Sequence, residues 1–264
     1  MVKGYRLIAS TGIHKGDRDY QQDQVALLRH RNANGCVLGV VADGMGGRSG
    51  GRKASDQVML TASQLFERYD PETDDATSLL LQLAREAHTV IKLTAISSEQ
   101  EPHSTIAAFL INPGGDCHWV HAGDSRLYHF RLGKLVKRSL DHSYVQALVN
   151  AGKLDPSEAA DHPKANILIG CLGTEAEPPL ESHLITRVQP GDVIMACSDG
   201  IWHFFKDAEL GELVALRSPR AATEQLIDMA RTRSHGGGDN LSLVVVKIEP
   251  LTVPQAEADS AAAG

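Results

Sequence analysis

The run from Val37 to Ala42 carries no polar side chain, and it opens directly into ADGMGG at 42–47. A β-branched apolar stretch of this length reads as a buried strand. Gly44, Gly46 and Gly47 leave the following backbone free to turn tightly or to approach a ligand. Asp43 thus stands where a strand opens into a bare loop. Similar runs recur at Thr105–Ile111, Cys117–Ala122, Leu127–Arg131, Leu184–Val188, Val193–Cys197 and Leu241–Ile248. A chain so punctuated is constrained to a sheet core.

Between the first two runs the spacing changes to threes and fours, at Ala54, Val58, Ala62, Leu65, Phe66 and Tyr69, then at Leu80, Leu83, Ala84, Ala87, Val90 and Ile91. This predicts two long helices separated near Pro71. Gly133, between Leu127–Arg131 and Leu135–Arg138, suits a hairpin. From Asp141 to Pro179 strand signals vanish, leaving a helix at Tyr144–Asn150 and several prolines, the pattern of an inserted flap. A last helix covers about Arg220–Thr232, and the acidic, alanine-rich residues after Pro250 read as a disordered tail. Strand runs broken by paired helices, without regular βαβ alternation, favour an antiparallel core with helices outside.

The length, 264 residues with 42% hydrophobic and 22% charged, fits one globular domain, expected over 1–249 with the tail at 250–264. No apolar run reaches the roughly 18 residues of a membrane span. The N-terminus offers only Leu7-Ile8-Ala9, too little for a signal-peptide core. Cys36, Cys117, Cys171 and Cys197 are dispersed without C-x-x-C spacing, which favours reduced thiols. A cytoplasmic location is expected. The net charge of −7 argues against a general nucleic-acid binder.

Four places repeat the motif of an aspartate beside a strand and a small residue: ADGMGG, HAGDSR at 121–126, CSDGIW at 197–202 and GGGDNLS at 236–242. Any one of them suits an ordinary turn. Brought together at one sheet edge, the carboxylates would repel unless they captured a cation, and oxygen ligands suit Mg²⁺ and Mn²⁺.

With RDYQQD at 18–23, HST at 103–105, DHS at 141–143 and HPKANILIGCLG at 162–173 added, the chain resembles the bacterial type 2C, metal-dependent protein serine/threonine phosphatases from about Ile8 to Ile248. The resemblance implies an α+β fold, a four-layer α-β-β-α sandwich of two antiparallel sheets flanked by helices, with a flap near residues 141–179. It implies hydrolysis of phosphoserine and phosphothreonine by water activated at a binuclear Mn²⁺ or Mg²⁺ centre, with a third ion bound weakly. Asp43 would bridge the two ions, and the Gly44 carbonyl would bind one of them. Asp199 and Asp239 would complete the first site, and Asp23 would support the second through water. Asp124, with Asp199, would hold the third. Arg18 would grip the substrate phosphate, a role its planar fork suits; its ordinary alternative is a surface ion pair. Implied partners are phosphorylated proteins and a cognate serine/threonine kinase in bacterial signalling, with the chain acting as a monomer.

Several residues depart from the family pattern. Gln22 stands where glutamate is frequent and Gln21 where asparagine is common, so the second ion is expected to bind more weakly. Met45 occupies a place where eukaryotic relatives carry a histidine, leaving the proton donor to another group. His103 replaces a frequent glycine, Arg48 a frequent histidine and Gly170 a flap arginine. His142 and His162 fall in flap motifs without an assigned role. A serine-esterase reading of GDSR fails because no late Asp-x-x-His follows. A nucleotide-binding reading fails because no Gly-Lys-Ser/Thr follows the glycine-rich loop. The remaining alternative is a non-catalytic phosphoprotein-binding regulator on the same scaffold, which loss of metal ligands would mark; Asp43, Asp199 and Asp239 are all present.

Overall fold

Alternation inside the apolar runs decides the architecture. The computed structural model describes residues 4–96, 101–159 and 162–251, together with the backbone but not the side chain of Arg48. In chain order the elements are β1 (Tyr5–His14), β2 (Gln24–Arg29), β3 (Val37–Ala42), β4 (Gly44–Met45), α1 (Gly47–Arg68), α2 (Ala76–Ile96), β5 (His103–Ser104), β6 (Ile106–Ile111), β7 (Cys117–Ala122), β8 (Arg126–Arg131), β9 (Lys134–Arg138), α3 (Tyr144–Asn150), β10 (Glu181–Ile185), β11 (Asp192–Cys197), α4 (Asp199–Trp202), α5 (Asp207–Leu216), α6 (Pro219–Arg233) and β12 (Leu241–Pro250). Two five-stranded antiparallel sheets form, ordered β1-β12-β11-β8-β9 and β10-β7-β6-β3-β2, with a small β4-β5 ladder beside them.

Leu38, Val40 and Ala42 face outward from β3 onto Val58, Ala62 and Phe66 of α1 and Leu80, Leu83 and Ala87 of α2. Val41 faces inward, where Phe109, Trp119, Leu127, Ile194 and Val246 fill the space between the sheets. On the far side Tyr128, Phe130, Met195 and Val245 meet Leu210 and Val214 of α5 and Leu226 and Ala230 of α6. The strands read as unbroken apolar runs because both of their faces are covered. Each such fully buried aliphatic side chain contributes roughly 1.5–3 kcal/mol. The expected four-layer α-β-β-α sandwich is the observed fold.

The β8–β9 hairpin turns on Leu132 and Gly133, both at positive φ (50° and 79°), the pair a two-residue type I′ loop requires. The strand expected over Leu184–Val188 lies earlier, at Glu181–Ile185, paired with β7. Arg187, at φ 53°, ends the extended backbone there. The edge strands β1 and β2 escaped the sequence reading because they mix polar with apolar residues; Leu7, Ala9, Val25 and Leu27 nevertheless pack into the inter-sheet core. Helix α5 escaped because Gly211 interrupts it; that glycine lets the helix touch the Gly133 carbonyl in the β8–β9 turn. β12 continues to Pro250, and the expected tail from 252 onward lies outside the described residues.

Candidate metal centre

Register brings the aspartates together. Gln24 pairs with Ala42, so Asp23 and Asp43 flank one end of the β2–β3 ladder. In the facing sheet Arg126 pairs with Cys197 and Cys197 with Leu243, which places Asp124, Asp199 and Asp239 at the same end. The sheets are stitched there by Ser198, whose hydroxyl donates to the Asp23 carboxylate at 2.7 Å and accepts from the Ser242 amide at 3.1 Å. Asp43 is held by Thr105: its amide donates to Oγ1 at 3.0 Å, and its carbonyl accepts from the Thr105 amide at 2.9 Å.

Two glycines permit the close approach. A Cβ on Gly44 would fall on the Gly51 carbonyl oxygen at the start of α1, and one on Gly200 would fall on the Asn240 carbonyl. A side chain at either position would push Asp43 from α1, or Asp199 from the Asp239 loop.

Burial, then the carboxylates of Asp23, Asp199, Asp124 and Asp239, push the Asp43 pKa well above the ordinary range. Burial, followed by Asp124, Asp239 and Asp23, does the same to Asp199. Asp23 rises to about 6, through burial and the Asp239 charge against hydrogen bonds from Ser198 and Ser242. Asp124 also rises to about 6, through burial and the Asp141 charge. Asp23 Oδ1 and Asp199 Oδ1 are buried without a hydrogen-bond partner among the described residues. Concentrated negative charge with orphaned carboxylate oxygens is relieved by a divalent cation. The donor set, all oxygen, fits Mg²⁺ or Mn²⁺.

Arg18 stands at the rim in the β1–β2 loop, its side chain 60% exposed, paired with Asp239 at 2.5 Å. The ion pair expected as its ordinary role is therefore present, and it is made to a carboxylate of the cluster. Gln22 donates its side-chain amide to the Gly47 carbonyl at 2.7 Å, so one end of that amide ties the glycine loop to the β1–β2 loop. Gly170 packs against Pro179, whose ring occupies the place a Cβ would take, so a side chain there would displace that ring.

Sequence reading missed three supporting residues. Asn240, 4% exposed, donates to the Lys15 and Tyr20 carbonyls at 2.8 and 2.9 Å and accepts from the Gln22 amide at 2.7 Å, locking the Arg18 loop onto the Asp239 loop. Arg126 grips Asp141 through two bonds of 2.7 Å and stacks on Trp202 at 3.4 Å. Trp202 in turn donates Nε1–H to the Asp124 carbonyl at 2.9 Å. The signal was the unused arginine of GDSR and the unused aspartate of DHS, opposite charges left over in neighbouring motifs.

A second cluster, His121, His142 and Glu181, places three ligand-capable atoms within 4.8 Å of one another. The rings stack at 4.6 Å with planes 11° apart, so their in-plane lone pairs run parallel instead of converging. His142 Nδ1 accepts from the Gly123 amide at 3.2 Å, which leaves the proton of the neutral ring on Nε2, facing Glu181 at 3.5 Å. The trio ties the flap base to β7 and β10.

Residues 13–236 match the protein phosphatase 2C family. The chain is 31% identical over 232 residues to the serine/threonine protein phosphatase PstP of Mycobacterium tuberculosis, covering 84% of this chain and 43% of that protein. It thus spans less than half the length of that relative. It is 26% identical over 241 residues to the serine/threonine phosphatase stp of Listeria monocytogenes, covering 87% of this chain and 94% of that one. The solved catalytic domain of PstP in complex with two manganese ions superposes with a TM-score of 0.78 at 27% identity, over 93% of this chain and 99% of that one. Fold, convergent carboxylates and sequence agree: this chain belongs to the protein phosphatase 2C family.

Proposed function

We propose that the chain hydrolyses phosphoserine and phosphothreonine in proteins at the aspartate cluster, with residues 1–249 as the catalytic unit. The observation that carries this reading is the convergence of Asp23, Asp43, Asp124, Asp199 and Asp239, with Asp23 Oδ1 and Asp199 Oδ1 buried without a hydrogen-bond partner among the described residues. When bound there, two Mn²⁺ or Mg²⁺ ions supply Lewis-acid charge for the phosphoryl oxygens and lower the pKa of water. Asp43, Asp199 and Asp239 would hold the first ion, and Asp43 would reach the second, supported by Asp23, with the Gly44 carbonyl binding one of the two. Asp124 and Asp199 would take a weaker third ion. The binuclear form of PstP supports this assignment.

Arg18 exchanges its Asp239 partner for the substrate dianion, and its fork orients the phosphate. Asn240 keeps the Arg18 loop seated on Asp239. Retention of Asp43, Asp199 and Asp239 supports an enzyme over a binding-only regulator. A serine/threonine kinase acts as the opposing enzyme, and the chain acts as a monomer. Among the described residues no helix is long and apolar enough to cross a membrane. Four dispersed, buried cysteines support a reducing, cytoplasmic setting. The test is hydrolysis of a phosphothreonine peptide with Mn²⁺, with Mg²⁺ and with chelator. Turnover that needs metal and collapses in Asp239→Asn is expected; equal turnover in chelator would overturn the reading.

A further inference from the structure

Cleavage of a phosphoserine or phosphothreonine ester expels an alkoxide, which leaves slowly unless a proton reaches its oxygen as the bond breaks. The β4–β5 ladder supplies a candidate donor. Met45 lies opposite His103 and Gly44 opposite Ser104, and the Thr105 amide carries the ladder on to the Asp43 carbonyl at 2.9 Å. Side chains alternate along a strand and opposed residues share a face. Asp43, Met45, His103 and Thr105 therefore project to one side, and Gly44 and Ser104 to the other.

The second side is closed. A Cβ on Gly44 would meet the Gly51 carbonyl of α1, and Ser104 is fully buried. His103 is half-buried, and its place opposite Met45 puts it on the side of the ladder that bears Asp43. Its Nδ1 lies 2.8 Å from the Glu101 carbonyl oxygen. A carbonyl only accepts, so Nδ1 carries a proton and Nε2 is the position that gains or gives the second one. His121 and His142, by contrast, stack on each other beneath the flap.

We propose that His103 is the general acid of the reaction, an inference that rests on the phosphatase reading above. As the P–O bond breaks, its electron pair stays on the seryl or threonyl oxygen, which takes the Nε2 proton of the His103 imidazolium. A water oxygen forms the new bond to phosphorus and releases one proton to solvent, and solvent returns a proton to His103. The products are the free alcohol and inorganic phosphate.

The leaving group provides the test. With saturating Mn²⁺ the full chain and its His103→Gln variant are compared on a phosphothreonine peptide and on p-nitrophenyl phosphate, whose nitrophenolate departs without a proton. The expected result is a fall in kcat of about 100-fold on the peptide and no more than about 5-fold on the aryl ester. Equal losses on both substrates would mark a structural effect and overturn the proposal, as would no loss on either. Absence of Mn²⁺-dependent turnover of both substrates by the wild type would instead overturn the phosphatase reading itself.

Discussion

Strand β11 begins at a buried aspartate, and two residues past its other end stands a half-buried one. Asp192, fully buried at its start, accepts from Arg131 at 2.7 and 3.0 Å and from the Gln189 amide at 2.8 Å, with His129 Nε2 at 3.2 Å. Burial alone would raise its pKa, but these partners hold it at about 2. Asp199, just past the other end, has an orphaned oxygen and neighbouring carboxylates where Asp192 has the Arg131 guanidinium, and its pKa is driven well upward. The same residue type is satisfied at one end of the strand and left in need of positive charge just past the other. Protein partners complete a structural carboxylate; a metal-binding one is kept incomplete.

The largest effect that would break this contrast concerns catalysis. Asp199→Asn should lower kcat on a phosphothreonine peptide by about 10³-fold at saturating Mn²⁺, the scale of losing a Lewis-acid site. Its melting temperature in chelator should not fall, because a source of repulsion is gone. Asp192→Asn should do the opposite, costing about 3 kcal/mol of stability in urea melts by leaving Arg131 and His129 without their carboxylate. Turnover per folded molecule should stay within about twofold. A stability loss in Asp199→Asn as large as that in Asp192→Asn would erase the distinction.

Metal should sharpen it. Mn²⁺ at about 100 times its dissociation constant should add about 2.7 kcal/mol to wild-type stability. Asp199→Asn should lose most of that gain, and Asp192→Asn should keep it. A smaller effect is expected from pH. In chelator, Asp23 and Asp124 keep their protons to about 6 in the folded state, whereas the unfolded chain loses them near 4. Folded protein therefore binds more protons across that window, and stability falls as pH rises from about 4 to about 6. Asp192 contributes with the opposite sign: its stabilisation is complete above about 4 and is lost as pH falls towards 2. Asp124→Asn should flatten the decline between pH 4.5 and 6.5 by about 1 kcal/mol, as read from urea melts at the two values.

The sheet core was legible because β3, β6, β7, β11 and β12 are covered on both faces and so appear as unbroken apolar runs. The helix pair was legible from its spacing by threes and fours. The edge strands were not, since β1 and β2 acquire their hydrophobic partners only through the register with β12 and β3. At the site, Asp43, Asp199 and Asp239 could be picked out as strand-end aspartates beside glycine, but their convergence depends on pairings across two sheets. Asn240 and Arg126 stayed hidden because their partners, Lys15, Tyr20 and Asp141, are distant in sequence or carry no chemical signal. His103 was visible as a departure from the family pattern, yet only the β4–β5 register shows which face it shares.

The central claim, that the strand-end aspartates form the metal centre, is tested most directly by crystals soaked in Mn²⁺ and measured for anomalous scattering. The account predicts two strong peaks bounded by Asp43, Asp199, Asp239 and the Gly44 carbonyl, with a weaker third between Asp124 and Asp199. Peaks confined to the His121–His142–Glu181 stack, or none among the aspartates at millimolar Mn²⁺, would contradict it.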